Sequence, residues 1–286
     1  MRPGSLAGRY SAAAAMVIFA LVPYLALSAA LQPLTPIIAQ SLHVSLQTMS
    51  FASGVANAGY AVGTVLAVAL AQHLPQRRMM VVYAALLVIG SVLTAAAQNP
   101  GMFIVGHVLQ GFCTSLLLIA AVPPLALGYG TAKFRETAMI MNLCIFGAVA
   151  LGPTMGGIQA ASHPWRALFW IVAAISAAAL VLALLTFEDV PPADRTAPWD
   201  PVAIGLAAAG SVAAFFGASQ LLTHRFLDLS VVVPLLGGLA LIVVLIVYQF
   251  RARRALLTIR GLASTMPVAG LVIPYLQPQR RFRRPR

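Results

Sequence analysis

Within the apolar stretches of this chain, few side chains can do chemistry. His107 stands inside one, with Gln110 and Gly111 one helical turn away. It is the only side chain within a stretch that can titrate near neutral pH. In an apolar medium an imidazole can carry a proton or hold a solute by hydrogen bonds, or it can rest neutral against a neighbouring helix. Gln32, Asn57, Gln110 and Asn142 are the other polar groups in such stretches. Each can line a solute path or bond across helices at about 0.6 kcal/mol. A second pattern is steric: Gly152-Pro153-Thr154-Met155-Gly156-Gly157, followed by Trp165-Arg166. Gly152 and Gly156 lie one turn apart and clear one helix face for close approach, and Pro153 removes a backbone donor between them and favours a bend.

The elements that position these residues follow from composition. The 286 residues are 60% hydrophobic and 8% charged, with a mean hydropathy of +0.91. Such a chain cannot cover a soluble globule with polar surface, so its partner is the lipid bilayer. The apolar runs are continuous and about twenty residues long, which suits helices crossing roughly 30 Å of hydrocarbon and not the alternating strands of a barrel. The reading is an all-α integral membrane protein of about eight spans. They are placed at Ala13–Ala39, Thr48–Gln72, Met79–Ala97, Gly101–Leu127, Thr137–Ile158, Ala167–Phe187, Pro201–Leu222 and Leu229–Phe250. The first apolar run continues past Leu31 to Ala39, longer than a signal-peptide core.

Residues 1–187 read as a six-helix bundle and 188–200, with Glu188, Asp189, Asp194 and Asp200, as a cytoplasmic Pro/acid-rich linker. Residues 201–250 supply two further spans, and 251–286 an incomplete span with an Arg-rich cytoplasmic tail. Placing the N-terminus in the cytoplasm puts Arg2, Arg9, Arg77, Arg78, Lys133, Arg135, Arg195 and the arginines after Phe250 on the inner side, leaving Arg166 and Arg225 outside. The net charge of +12 is then membrane topology and not a nucleic-acid surface. Cys113 and Cys144 read as small packing residues. No carboxylate pair, metal spacing or nucleophile set is present, so neither enzyme activity, cofactor nor metal is expected. Gly59, Gly63, Ala67 and Ala71 form a small-residue seam on the second span.

Gly152-Pro153-x-x-Gly156-Gly157 before Trp165-Arg166 resembles the antiporter signature of the major facilitator superfamily. Gly106-His107-Val108-Leu109-Gln110-Gly111 is similar to its fourth-helix motif. The loop Leu70–Arg78, with Gln72, Arg77 and Arg78, looks like a worn copy of its most general signature. Trp199-Asp200-Pro201 opening the seventh span resembles the fourteen-span drug:proton antiporter branch. The resemblance covers residues 1 to about 270 and implies one six-helix half plus two linking helices. It implies multidrug-type efflux of small organic solutes by ion-coupled alternating access, in the inner membrane, with a second transporter half as partner. It also implies that the Gly59–Ala71 seam meets that second half. The family pattern has an acid where Leu27 and Gln72 stand and an arginine where His107 stands, and none of the six acids lies in the core of a span. The pointer to a proton as coupling ion is therefore missing, and a neutral path admits uncharged and cationic solutes alike. Residues Gly261–Leu276, with Pro267 and Pro274, are too short and broken to span. The change of composition after Val272 is read as a truncated or frameshifted product, for which the alternative function is a non-transporting fragment that is inactive or acts only with a partner half.

Overall fold

The computed structural model describes residues 6–162, 165–187, 192, 199–222 and 224–252. Most of the linker and all of the Arg-rich tail lie outside these, so the expectations placed on 188–198 and on residues after 252 fall outside the described residues. Among the described residues there are eight α-helices and no strand: α1 Tyr10–Ser41, α2 Leu46–His73, α3 Gln76–Ala95, α4 Pro100–Leu127, α5 Thr131–Ser162, α6 Trp165–Thr186, α7 Pro201–Ser219 and α8 Leu229–Arg251. All eight are long and apolar enough to cross a membrane.

Helix starts are set by local chemistry. Ser45 accepts from the Thr48 amide, Asn99 from the Met102 amide, and Asp200 from the Ala203 amide. Each side chain satisfies a donor that the first turn leaves without a helical partner. Pro100 and Pro201 occupy first-turn positions, where a missing N–H costs nothing. Asp200, expected as a solvated linker acid, is therefore a helix cap. It also accepts from Gln249 Nε2 at 2.8 Å and Tyr248 Oη at 3.2 Å, tying the start of α7 to the end of α8.

The six-helix bundle is two interleaved triplets. α1 packs on α5 and α6 as α4 packs on α2 and α3, while α3 meets α6 and α1 meets α4 across the middle. Exchanging α1–α3 for α4–α6 reproduces the contact pattern. α7 packs on α2 and on α8, so the added hairpin sits on the α2 flank. Its own seam is glycine-lined: a Cβ on Gly217 would lie 2.5 Å from the Leu235 amide nitrogen, and one on Gly238 would lie 2.6 Å from the Gly210 carbonyl oxygen. Lipid offers no hydrophobic gain for burying leucine, so close backbone approach and van der Waals contact must hold such helices together.

The partner of the Gly59–Ala71 seam differs from the expectation. A Cβ on Gly63 would lie 2.8 Å from the Phe112 carbonyl oxygen, and one on Gly59 would touch Val108 at 3.4 Å. Both partners belong to α4 of the same bundle, not to a second half. The physical reason is that a glycine column serves any helix that needs close approach, and spacing alone does not say which.

Candidate functional site

α4 is seated by glycines on two sides. Gly106 admits α3: an added Cβ would meet the Thr94 amide nitrogen at 2.7 Å and the Gly90 carbonyl oxygen at 2.8 Å. Gly111 admits α1 and α2, since a Cβ there would lie 2.6 Å from both the Tyr24 hydroxyl and the Ala56 carbonyl oxygen. Between these two seats, His107 and Gln110 turn inward and are fully buried.

They form a hydrogen-bonded chain that crosses three helices. His107 Nδ1 is 3.2 Å from Gln110 Oε1, and Gln110 Nε2 donates to Ser91 Oγ at 3.0 Å. Ser91 Oγ is 3.2 Å from Ser176 Oγ, which donates to the Val172 carbonyl at 2.8 Å. With the Gln110 amide in this orientation, Nδ1 of His107 carries the donated proton and every donor runs one way to end on a backbone acceptor. Thr94 Oγ1 donates to the Gly90 carbonyl at 2.8 Å and lies 3.4 Å from Gln110 Oε1. A buried chain of this kind fixes α3, α4 and α6 in register. Ser91, Thr94 and Ser176 were not legible as site residues, because hydroxyls are common in apolar helices and only the fold brings these three to one amide.

The remaining candidates are scattered. The face of His107 meets Phe103 and Tyr24, with ring centroids 5.8 and 5.7 Å away. Tyr24 donates to Asn57 Oδ1 at 3.5 Å and stacks on Tyr60, 6.0 Å between centroids, so Asn57 belongs to a half-buried α1–α2 cluster. Asn142 is exposed on α5 and donates to its own helix at Ala138, 2.8 Å away. Gln32 is exposed and lines a cavity of about 410 Å³ between α1 and α2. Gln72 is half-buried at the end of α2; Arg77 donates to the Leu184 carbonyl at 3.4 Å and Arg78 is exposed. Among the described residues no group of three metal-ligating side chains occurs.

The antiporter-motif helix is a crossing with α1. A Cβ on Gly152 would lie 2.5 Å from Ala29 Cβ and 2.6 Å from the Ala26 carbonyl oxygen, and one on Gly156 would strike Ala30 and Pro33. Gly157 faces open space. α5 continues through Pro153 as one helix. Arg166 stacks on Trp165, 4.4 Å from the ring centroid, and donates to the Ala97 carbonyl at 2.8 Å, which pins the start of α6 to the end of α3.

Eight apolar helices, a twofold-repeated bundle and glycine-cleared crossings define a multi-pass α-helical membrane protein of transporter architecture. The chain belongs to the Major Facilitator Superfamily, whose family model matches residues 16–279. It is 29% identical over 171 residues to the Multidrug resistance protein MdtL of Escherichia coli O81 (strain ED1a), a match that takes in 58% of this chain and 42% of that protein. It is 24% identical over 192 residues to the Uncharacterized MFS-type transporter YubD of Bacillus subtilis (strain 168), covering 65% of this chain and 37% of that one. The chain spans about two fifths of the length of the curated relatives it matches. Among solved structures, a POT family transporter in complex with a thioalcohol conjugated peptide superposes with a TM-score of 0.61 at 14% identity, over 85% of this chain and 53% of that one. That likeness is one of fold.

Proposed function

We propose that this chain supplies the N-terminal body of an exporter of small organic solutes that works by alternating access. The observation that carries the reading is the exchange of α1–α3 with α4–α6 in a superfamily member. Successive spans run in opposite senses, so this is an inverted repeat of the kind nested in each half of such transporters. The relatives named for multidrug resistance support organic solutes as cargo.

The domain division is one body at 1–187, a linker at 188–200, an accessory hairpin at 201–250 and a tail at 251–286. The accessory hairpin rides on α2, and α5 presents its far face for the second half. Leu143 and Phe146 on that face are 75% and 68% exposed, far more than the α1-facing side of the same helix. The protein sits in the inner membrane with the N-terminus cytoplasmic, as the clustering of Arg77, Arg78, Lys133 and Arg135 at one end favours. Gln32 and Asn57 face the solute path. His107 and Gln110 act by holding α3, α4 and α6 together. Among the described residues no carboxylate stands in the core of a span: Glu136 is paired with Lys133 at 2.6 Å at an exposed helix start, and Asp200 and Asp228 flank α7 and α8.

The test is efflux of organic dyes from cells expressing this chain, against an empty vector, with membrane levels matched. Efflux above the control supports the proposal. Efflux at the control level removes transport by this chain alone in favour of the second reading, a body that acts only with a separate half. That reading draws on the uncovered flank of α5.

A further inference from the structure

The cavity of about 410 Å³ between α1 and α2 has a chemistry of its own. Its polar lining is Ser28, Gln32 and Thr35 on α1 with Ser50 and Ser53 on α2, set against the buried Leu31 and Met49. Spacings of four and three residues place 28, 32 and 35 along one face of α1, and the same periodicity aligns 46, 49, 50 and 53 on α2. The cavity lies at the far end of α2 from Arg77 and Arg78.

The hydrogen-bonding capacity here is uncommitted. Among the described residues the side chains of Ser28, Gln32, Ser50 and Ser53 have no protein partner. Thr35 Oγ1 donates to the Leu31 carbonyl at 2.7 Å, which leaves its lone pairs as acceptors. Pro36 also lines the cavity and has no N–H, so the helical bond to the Gln32 carbonyl cannot form and a backbone acceptor is left beside the Gln32 amide. This contrasts with the His107–Gln110 chain, where the Gln110 carbonyl and one amide N–H, Ser91 and Ser176 are all engaged.

Charge and ring content decide the class of guest. Among the described residues, no acidic, basic or aromatic side chain lines the cavity. An organic cation leaving water would find neither a counter-charge nor a π-face, and an anion no cation or guanidinium. A neutral molecule needs only hydrogen bonds and apolar contact, and both are present. We propose that this α1–α2 cavity binds uncharged solutes that carry hydroxyl or amide groups on an apolar body, with Gln32 and Ser53 as the principal hydrogen-bonding contacts. The inference rests on the transport reading for the meaning of the site as a cargo site, and it narrows the cargo to neutral molecules.

The experiment is equilibrium dialysis of the purified full chain in lipid nanodiscs against three probes sharing one chromophore: 4-nitrophenyl β-D-glucopyranoside, 4-nitrobenzyltrimethylammonium and 4-nitrobenzoate. The glucoside is expected to bind saturably, with the two charged probes at least about tenfold weaker. Gln32→Leu and the milder Ser53→Ala should each weaken glucoside binding about fivefold or more. Gln32→Asn should retain most of it, and all variants should elute as monodisperse particles of wild-type size. Equal binding of the cation, no saturable binding of the glucoside, or wild-type affinity in both Gln32→Leu and Ser53→Ala would each overturn the proposal. Saturable binding without cellular efflux leaves the site standing and removes the transport reading; efflux without glucoside binding removes the site alone.

Discussion

Substituting the three glycines of the α5 motif one at a time by alanine separates ancestry from mechanics. A Cβ on Gly152 would stand 2.5 Å from Ala29 Cβ and 2.6 Å from the Ala26 carbonyl oxygen. Relaxed carbon contacts sit at about 3.5–4.0 Å, so α5 and α1 must part by roughly 1 Å. Overpacking of this kind costs about 1–3 kcal/mol. Alanine returns up to about 1 kcal/mol through its better helix propensity. With two close contacts at the site, the clash wins and the net loss is about 1–2 kcal/mol, near a tenfold shift in the folding equilibrium. Gly156→Ala should lose at least as much, because its nearest neighbours include the Ala30 backbone, which cannot be trimmed. Gly157→Ala meets nothing within 4 Å and should be neutral or slightly stabilising. Adding Ala29→Gly should rescue Gly152→Ala in part, since the Ala26 carbonyl remains, and should not rescue Gly156→Ala. The assay is the midpoint of heat-induced loss of the monodisperse peak in matched lipid nanodiscs. If Gly157→Ala is as damaging as Gly152→Ala, or Gly156→Ala is silent, the steric account of the motif fails.

Three further outcomes are expected. Gln110→Leu strands Ser91 and the His107 ring N–H in the bundle interior and should cost about 1–3 kcal/mol in the same assay, with Gln110→Glu no better. Asp200→Ala removes a helix cap together with the bonds from Gln249 and Tyr248, so it should cost about 0.5–2 kcal/mol, read as faster proteolysis of the α7–α8 hairpin; Asp200→Asn, which can still cap, should be milder. Cys113 is 0% exposed and should resist maleimide in the folded chain, whereas an added Gln40→Cys should label from outside intact cells and Arg78→Cys only after permeabilisation.

Several features were legible before any coordinates. The eight spans were placed to within about three residues except α5, which runs Thr131–Ser162 against the expected Thr137–Ile158 and overruns the hydrocarbon at both extensions. Those extensions are polar or mixed at their ends, where hydropathy gives no edge. The glycines at 152 and 156 announced a close crossing, and Asn99-Pro100 and Asp200-Pro201 carried capping chemistry. Partner identity was not legible. Gly59 and Gly63 clear a face for α4 of the same bundle, and Gly152 and Gly156 for α1, although the two motifs look alike in one dimension.

Sequence by itself determined the compartment, the helical class, the superfamily and the inventory of groups able to act inside the membrane. Those follow from composition and local periodicity, which every residue carries wherever its neighbours lie. Only the tertiary structure decided which of those groups are spent. Gln110 is engaged by His107 and Ser91, and Ser91 by Ser176, 85 positions further along the chain. Gln32 keeps its amide free beside Ser50 and Ser53 because the return of α2 along α1 builds a cavity there. Whether a polar side chain in a membrane helix binds cargo or bolts helices depends on what the fold sets against it, and that is a property of packing, not of sequence position.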